Sequence, residues 1–117
     1  MDRILEITLL YDFYGELLTE RQKEMFEMYY LDDLSLSEIG EQLNISRQAV
    51  RDSLKHSKQA LNDYEAKLCL VDKFSKEKAS VLKIREIIDN IEVMQLPVEV
   101  TEYIKEVKKL TDEIVGL

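Results

Sequence analysis

An all-α fold is predicted by three features of this sequence. Glycine and proline are scarce, three and one among 117 residues, too few for a chain rich in strands or loops. Apolar residues recur every three to four positions through nearly every segment, the period of a helix face. Residues 35–54, Ser35-Leu-Ser-Glu-Ile-Gly-Glu-Gln-Leu-Asn-Ile-Ser-Arg-Gln-Ala-Val-Arg-Asp-Ser-Leu54, read as two short helices joined by a tight corner. Hydrophobic residues make up 45% of the chain, enough for one core with a helical extension. No window approaches 18 uncharged apolar residues, so no membrane span is expected. The single cysteine cannot form an internal disulfide, and the opening residues lack the layout of a secretory leader, so a cytoplasmic protein is expected.

The elements follow in order. Residues 3–16 predict a first helix with Leu5, Leu9 and Phe13 on one side and Ile7, Leu10 and Tyr14 on the other, wide enough to need two neighbours; Gly15 ends or loosens it. Thr19 with Gln22 is a capping box opening a second helix, whose inward face is Met25, Phe26, Tyr29 and Tyr30. The helical spacing of these aromatics reads as core packing with hydroxyls at the rim, in preference to a stacking platform. Ser35 with Glu38 is a second capping box. Ile39 and Leu43 then face a core, Gly40 admits a close neighbour, Asn44 tolerates a left-handed turn and Ile45 fills the corner. Ser46 caps the next helix, sealed by Val50 and Leu54 with Ala49 and Ser53 beside them.

That helix keeps its rhythm through Ala60 or Leu61, Tyr64, Leu68 and Val71, which extends it to about Asp72. Ser75 is the next cap, for a helix over 76–95 with Ile84, Ile87, Ile91 and Met94 in three-four alternation. Pro97 breaks it. A last helix repeats the alternation through Val100, Tyr103, Val107, Leu110, Ile114 and Leu117. Residues 1–72 thus form a head (motif 35–58), and residues 73–117 a C-terminal hairpin or coiled-coil-like tail. The two seams can pack on the head, on a second protomer or on a different protein; the sequence leaves all three open.

The 35–58 pattern is that of a helix-turn-helix, whose second helix commonly enters a DNA major groove. Together with Leu18-Thr-Glu-Arg-Gln-Lys-Glu-Met-Phe-Glu-Met-Tyr-Tyr-Leu31, it resembles the fourth region of bacterial sigma-70-type factors over residues 18–63. Taken end to end, the chain more closely resembles the YlxM family, small proteins linked to the signal recognition particle by gene neighbourhood. This resemblance implies an accessory role in co-translational targeting, with the particle RNA or its GTPase protein as partners. The chain has nothing like the polymerase-binding region of a full sigma factor.

Net charge is −8, unusual for a dedicated nucleic-acid binder, so its distribution matters. Residues 1–33 hold nine acids against three bases, whereas residues 47–85 hold ten bases against five acids. The basic band starts where the second motif helix starts; beyond Lys58 an ordinary solvated helix face explains it equally well. On that helix the outward set is Arg47, Gln48, Arg51, Asp52, Lys55 and Lys58. Arg47, Gln48 and Arg51 suit purine edges, since arginine pairs with guanine and glutamine with adenine through two hydrogen bonds. Ser46 at the helix amino end, with Lys55 and Lys58 further along, suits phosphates. An A-form groove is too narrow for such reading; on RNA, Lys67, Lys73, Lys76 and Lys78 become equal candidates as backbone clamps.

Catalysis finds no support: there is one histidine, His56, no triad spacing and no phosphate-binding glycine loop. One Cys and one His make no zinc site, and no cofactor is expected. Cys69, among Leu68, Leu70 and Val71, is expected to be a small buried hydrophobe. The sequence supports a regulatory or accessory protein that binds nucleic acid, duplex DNA or RNA. The alternatives are a dimeric DNA-binding transcription regulator and a protein-interaction adaptor in which the motif is only scaffold.

Overall fold

The computed structural model describes residues 3–116, which are helices joined by short turns, with no strand among the described residues. The helices are α1 (Arg3–Tyr14), α2 (Glu20–Tyr30), α3 (Leu36–Leu43), α4 (Arg47–Leu68), α5 (Leu70–Glu92) and α6 (Val98–Val115), with a short 3₁₀ turn, Gly15–Leu17, after α1. The chain divides into two compact units, residues 1–71 and 72–117.

In the first unit, α1, α2 and α3 all pack on α4. One cluster joins Ile7, Leu10, Tyr14, Leu18, Phe26 and Leu61; the other joins Met25, Met28, Ile39, Val50 and Leu54. Only one of the two apolar sides of α1 is inside: Ile7, Leu10 and Tyr14 are buried, while Leu5 and Phe13 are exposed. Leu9, on the second side, is half-buried, and α1 meets two neighbours, α4 and, through the Tyr11–Phe26 stack, α2. The second side of α4 also differs from expectation, Ala49 being exposed and Ser53 half-buried.

The long helix stops at Leu68, short of Asp72, and Ser75 lies inside α5, not at its cap. Cys69 makes the break: it takes a left-handed conformation (φ 55°) and is exposed, the reverse of a buried hydrophobe. This is strained for a side chain with a Cβ, and the break has hydrogen bonds of its own. The Tyr14 hydroxyl donates to Glu65 Oε1 at 2.5 Å and accepts from the Leu70 amide at 3.0 Å, while Glu65 Oε1 also accepts from the Val71 amide at 3.0 Å. The first amides of α5, which have no partner inside their own helix, are thereby satisfied by α1 and α4. Burial first, then the Glu65 bond, pushes the Tyr14 phenol above its usual range.

In the second unit α5 and α6 form an antiparallel hairpin, fixed in register by Arg85 with Asp112 and by Lys108 with Glu92 (2.6 Å). Pro97 caps α6 without a side-chain hydrogen bond. The buried positions are Val81, Ile88 and Thr111. The predicted seams face outward instead: Ile84, Ile87, Met94, Val100, Tyr103, Val107, Leu110 and Ile114 are exposed, and Met94 lies beyond the end of α5. Leu117 lies outside the described residues. The contact face runs one position later on both helices, and the ion-paired Arg85 and Lys108 occupy it.

Candidate nucleic-acid interface

The motif is built from backbone constraints upward. Ser35 Oγ accepts from the Glu38 amide and Glu38 Oε1 accepts from the Ser35 amide, both at 3.1 Å, closing the capping box at the start of α3. These bonds hold the Glu38 carboxyl below its ordinary range. At the far end Asn44 sits in the left-handed region (φ 58°, ψ 45°), and the next amide, Ile45, donates to the Gly40 carbonyl at 2.9 Å. A Cβ on Gly40 would stand 2.7 Å from the Ile45 carbonyl oxygen, so the corner can fold this tightly only over glycine. Arg21 on α2 reaches across to donate to the Leu43 carbonyl at 3.3 Å. A cation there also complements the negative end of α3, a role for Arg21 that no local pattern announces.

Ser46 then caps α4, its Oγ accepting from the Ala49 amide at 3.0 Å. Val50 is fully buried and Leu54 nearly so, which turns the opposite side of the helix outward. Ser46, Arg47, Gln48, Arg51, Asp52, Lys55 and Lys58 are all exposed, as is His56. Two details shape what this face can do. Gln48 Nε2 already donates to Asp52 Oδ1 at 2.9 Å, so an adenine would have to compete for that amide. Arg47, Arg51, Lys55 and Lys58 enter no ion pair among the described residues, whereas Lys23 is held by Glu16 and Glu20, and Arg85 by Asp112. Four cations spaced along three turns and left uncompensated on an acidic chain form a concentrated positive strip.

The aromatic side of α2 departs from the expected core role at one position. Phe26 is fully buried and Tyr30 half-buried, but Tyr29 is 38% exposed and opens toward α4. Burial, then the nearby Tyr29, pushes the Tyr30 phenol up. Among the described residues no group of three or more metal-ligating side chains occurs, and no helix is long and apolar enough to cross a membrane.

The geometry is that of a helix-turn-helix protein with an exposed, cationic second helix. Comparison with known proteins gives the family: the sequence model of the UPF0122 proteins, described as helix-turn-helix, YlxM / p13 like, matches residues 1–109. The chain is 50% identical over 97 residues to a UPF0122 protein of Desulforamulus reducens, covering 83% of each chain. A UPF0122 protein of Acetivibrio thermocellus is 44% identical over 115 residues, 98% of each chain. One from Caldanaerobacter subterraneus subsp. tengcongensis is 55% identical over 87 residues, 74% of each. The chain belongs to the UPF0122 family.

Proposed function

We propose that this chain is a non-enzymatic accessory or regulatory protein that grips nucleic acid with the outward face of α4, and that it serves the signal recognition particle pathway. The observation that carries the first part is the unpaired strip Arg47, Arg51, Lys55 and Lys58 on a rigid, capped helix. Arg47, Gln48 and Arg51 meet base edges, while Ser46, Lys55 and Lys58 meet phosphates. The pathway rests on the likeness to YlxM proteins, and the sigma-like reading on residues 18–63. Even were all four cations of the strip to neutralise phosphates, the log–log salt slope on duplex DNA would be about −3.6, a modest term against a net charge of −8. A single head is therefore a weak binder, and two linked heads gain through effective concentration.

Self-association through the hairpin supplies the second head. The outward residues Ile84 and Ile87 on α5, and Tyr103, Val107, Leu110 and Ile114 on α6, each lie one position before a contact-face residue. In an antiparallel pair of right-handed helices, the same backward step on both turns the two stripes to one side. Their exposed area is roughly 600 Å² per protomer, at the upper end for the largest apolar patch on a monomer. Two such faces close into a four-helix bundle with two-fold symmetry.

The test is binding of the full chain to duplex DNA, to the particle RNA and to its GTPase protein at two salt concentrations, with sedimentation of the free protein. Binding to one of the nucleic acids that weakens as salt rises supports the reading, and no interaction with any of the three ends it. Base-specific loss in Arg47→Ala on DNA favours the alternative of a dimeric transcription regulator. If only the protein partner binds, the chain is an adaptor and its motif is scaffold.

A further inference from the structure

The aromatic residues of the first unit form a ladder that leads out of the core. Tyr11 and Phe26 stack with centroids 4.2 Å apart and planes within 10°. Phe26 meets Tyr30 at 4.5 Å, and Tyr30 meets Tyr29 edge-on at 4.9 Å. The inner rungs satisfy the core, but the last does not: Tyr29 stands on the wall of an open cavity of about 580 Å³ between α2 and α4. Across from it the cavity is lined by Arg51, Asp52, Lys55 and Lys58. Two aromatic rings, Tyr29 and the half-buried Tyr30, three cations and one carboxylate therefore share a space of the size that takes small organic ligands.

We propose that this cavity receives a single unpaired nucleotide, its base stacked on Tyr29 and its phosphate held by Lys55 and Lys58. The inference rests on the nucleic-acid reading of α4 and sharpens it, because a base paired within a continuous duplex is stacked on both faces and has none to offer. A bulged or overhanging nucleotide has a free face, and base–aromatic stacking is tolerant of which base it is. The carboxylate gives the cavity polarity. Asp52, fixed by the Gln48 amide at 2.9 Å, repels phosphate and accepts from an exocyclic amino group, so the base sits toward the amino end of α4. Lys55 and Lys58, one to two turns further on, take the phosphate. Arg51, one residue before Asp52, lies at the base end of the cavity.

The experiment compares a blunt duplex with the same duplex carrying one unpaired fluorescent adenine analogue, made in both RNA and DNA, against the full chain. The bulged form binds about 10-fold more tightly, and the analogue's emission is quenched on binding. Tyr29→Ala removes both the gain and the quenching and leaves blunt-duplex affinity as it was, while Tyr29→Phe retains both; circular dichroism confirms that each variant is folded. A bulge that adds no affinity, or a gain that survives Tyr29→Ala, overturns the proposal while leaving α4 as a duplex-binding helix. Failure of both oligonucleotides to bind overturns the nucleic-acid reading itself and this cavity assignment with it. Arg47→Ala separates the two from the other direction by weakening blunt and bulged forms alike.

Discussion

On α4 and on the α5–α6 hairpin, charge and apolar surface have exchanged places. Along α4 the aliphatic residues Val50, Leu54 and Leu61 are inside, and Arg47, Arg51, Lys55 and Lys58 stand outside with no ion pair among the described residues. In the hairpin the cations Arg85 and Lys108 occupy the contact face, neutralised by Asp112 and Glu92, and a full stripe of isoleucine, valine, leucine and tyrosine is left outside. Both are amphipathic helices with similar spacing. The first is closed in its own fold and shows charge to the surroundings; the second satisfies its charges internally and shows surface that water disfavours. Amphipathicity alone therefore does not say which side of a helix a protein keeps for itself.

The contrast can be broken most severely at the corner of the motif. Gly40→Ala forces a methyl group against the Ile45 carbonyl, backbone that cannot swing aside, and costs about 2–3 kcal/mol in urea unfolding. The nucleic-acid binding proposed for α4 falls with it, while the Arg85–Asp112 pairing, observed by mutation or by NMR, is untouched. Asp112→Ala acts on the opposite side of the comparison. It strands the half-buried Arg85 and destabilises the hairpin by about 1–2 kcal/mol, less than a fully buried pair because solvent still reaches both groups. Loss of α5–α6 hydrogen-exchange protection ahead of the rest of the chain is the expected sign.

A smaller effect of opposite sign is expected at Ser57, which is 1% exposed with its hydroxyl unpartnered. Ser57→Ala removes that desolvated group and raises stability by up to about 1 kcal/mol in the same urea titration. The subtlest test uses pH. Glu38 is held below the usual 4.5, so its contribution to the motif is present above that value and lost as pH falls through the lowered one. The acid limb of the stability profile should flatten in Glu38→Gln, which keeps the capping acceptor but cannot titrate there.

Most of the helical architecture was legible because its signals are local. Thr19 with Gln22 and Ser35 with Glu38 formed both halves of their capping boxes, and Asn44 took the left-handed corner, since each needs only neighbours a few residues away. The break at Cys69 was not legible. No glycine, asparagine or proline marks it, and Tyr14, which closes it together with the local Glu65, is brought to it by the fold. The hairpin misled for a different reason: each helix carries two candidate stripes, and periodicity selects the more apolar one, whereas ion pairs chose the other. For the outward face of α4, the inward Val50 and Leu54 sufficed to locate Arg47, Gln48, Arg51, Lys55 and Lys58 on the surface. Tyr29 escaped because a helical aromatic run looks alike whether or not its last member reaches solvent.

Cys69 has a practical consequence. It is the chain's only cysteine, it is exposed, and it sits at the elbow between two long helices. A nitroxide or dye attached to it needs no engineered background. A symmetric pair of protomers would then carry just two probes, so that a single separation reports whether and how closely the chains pair.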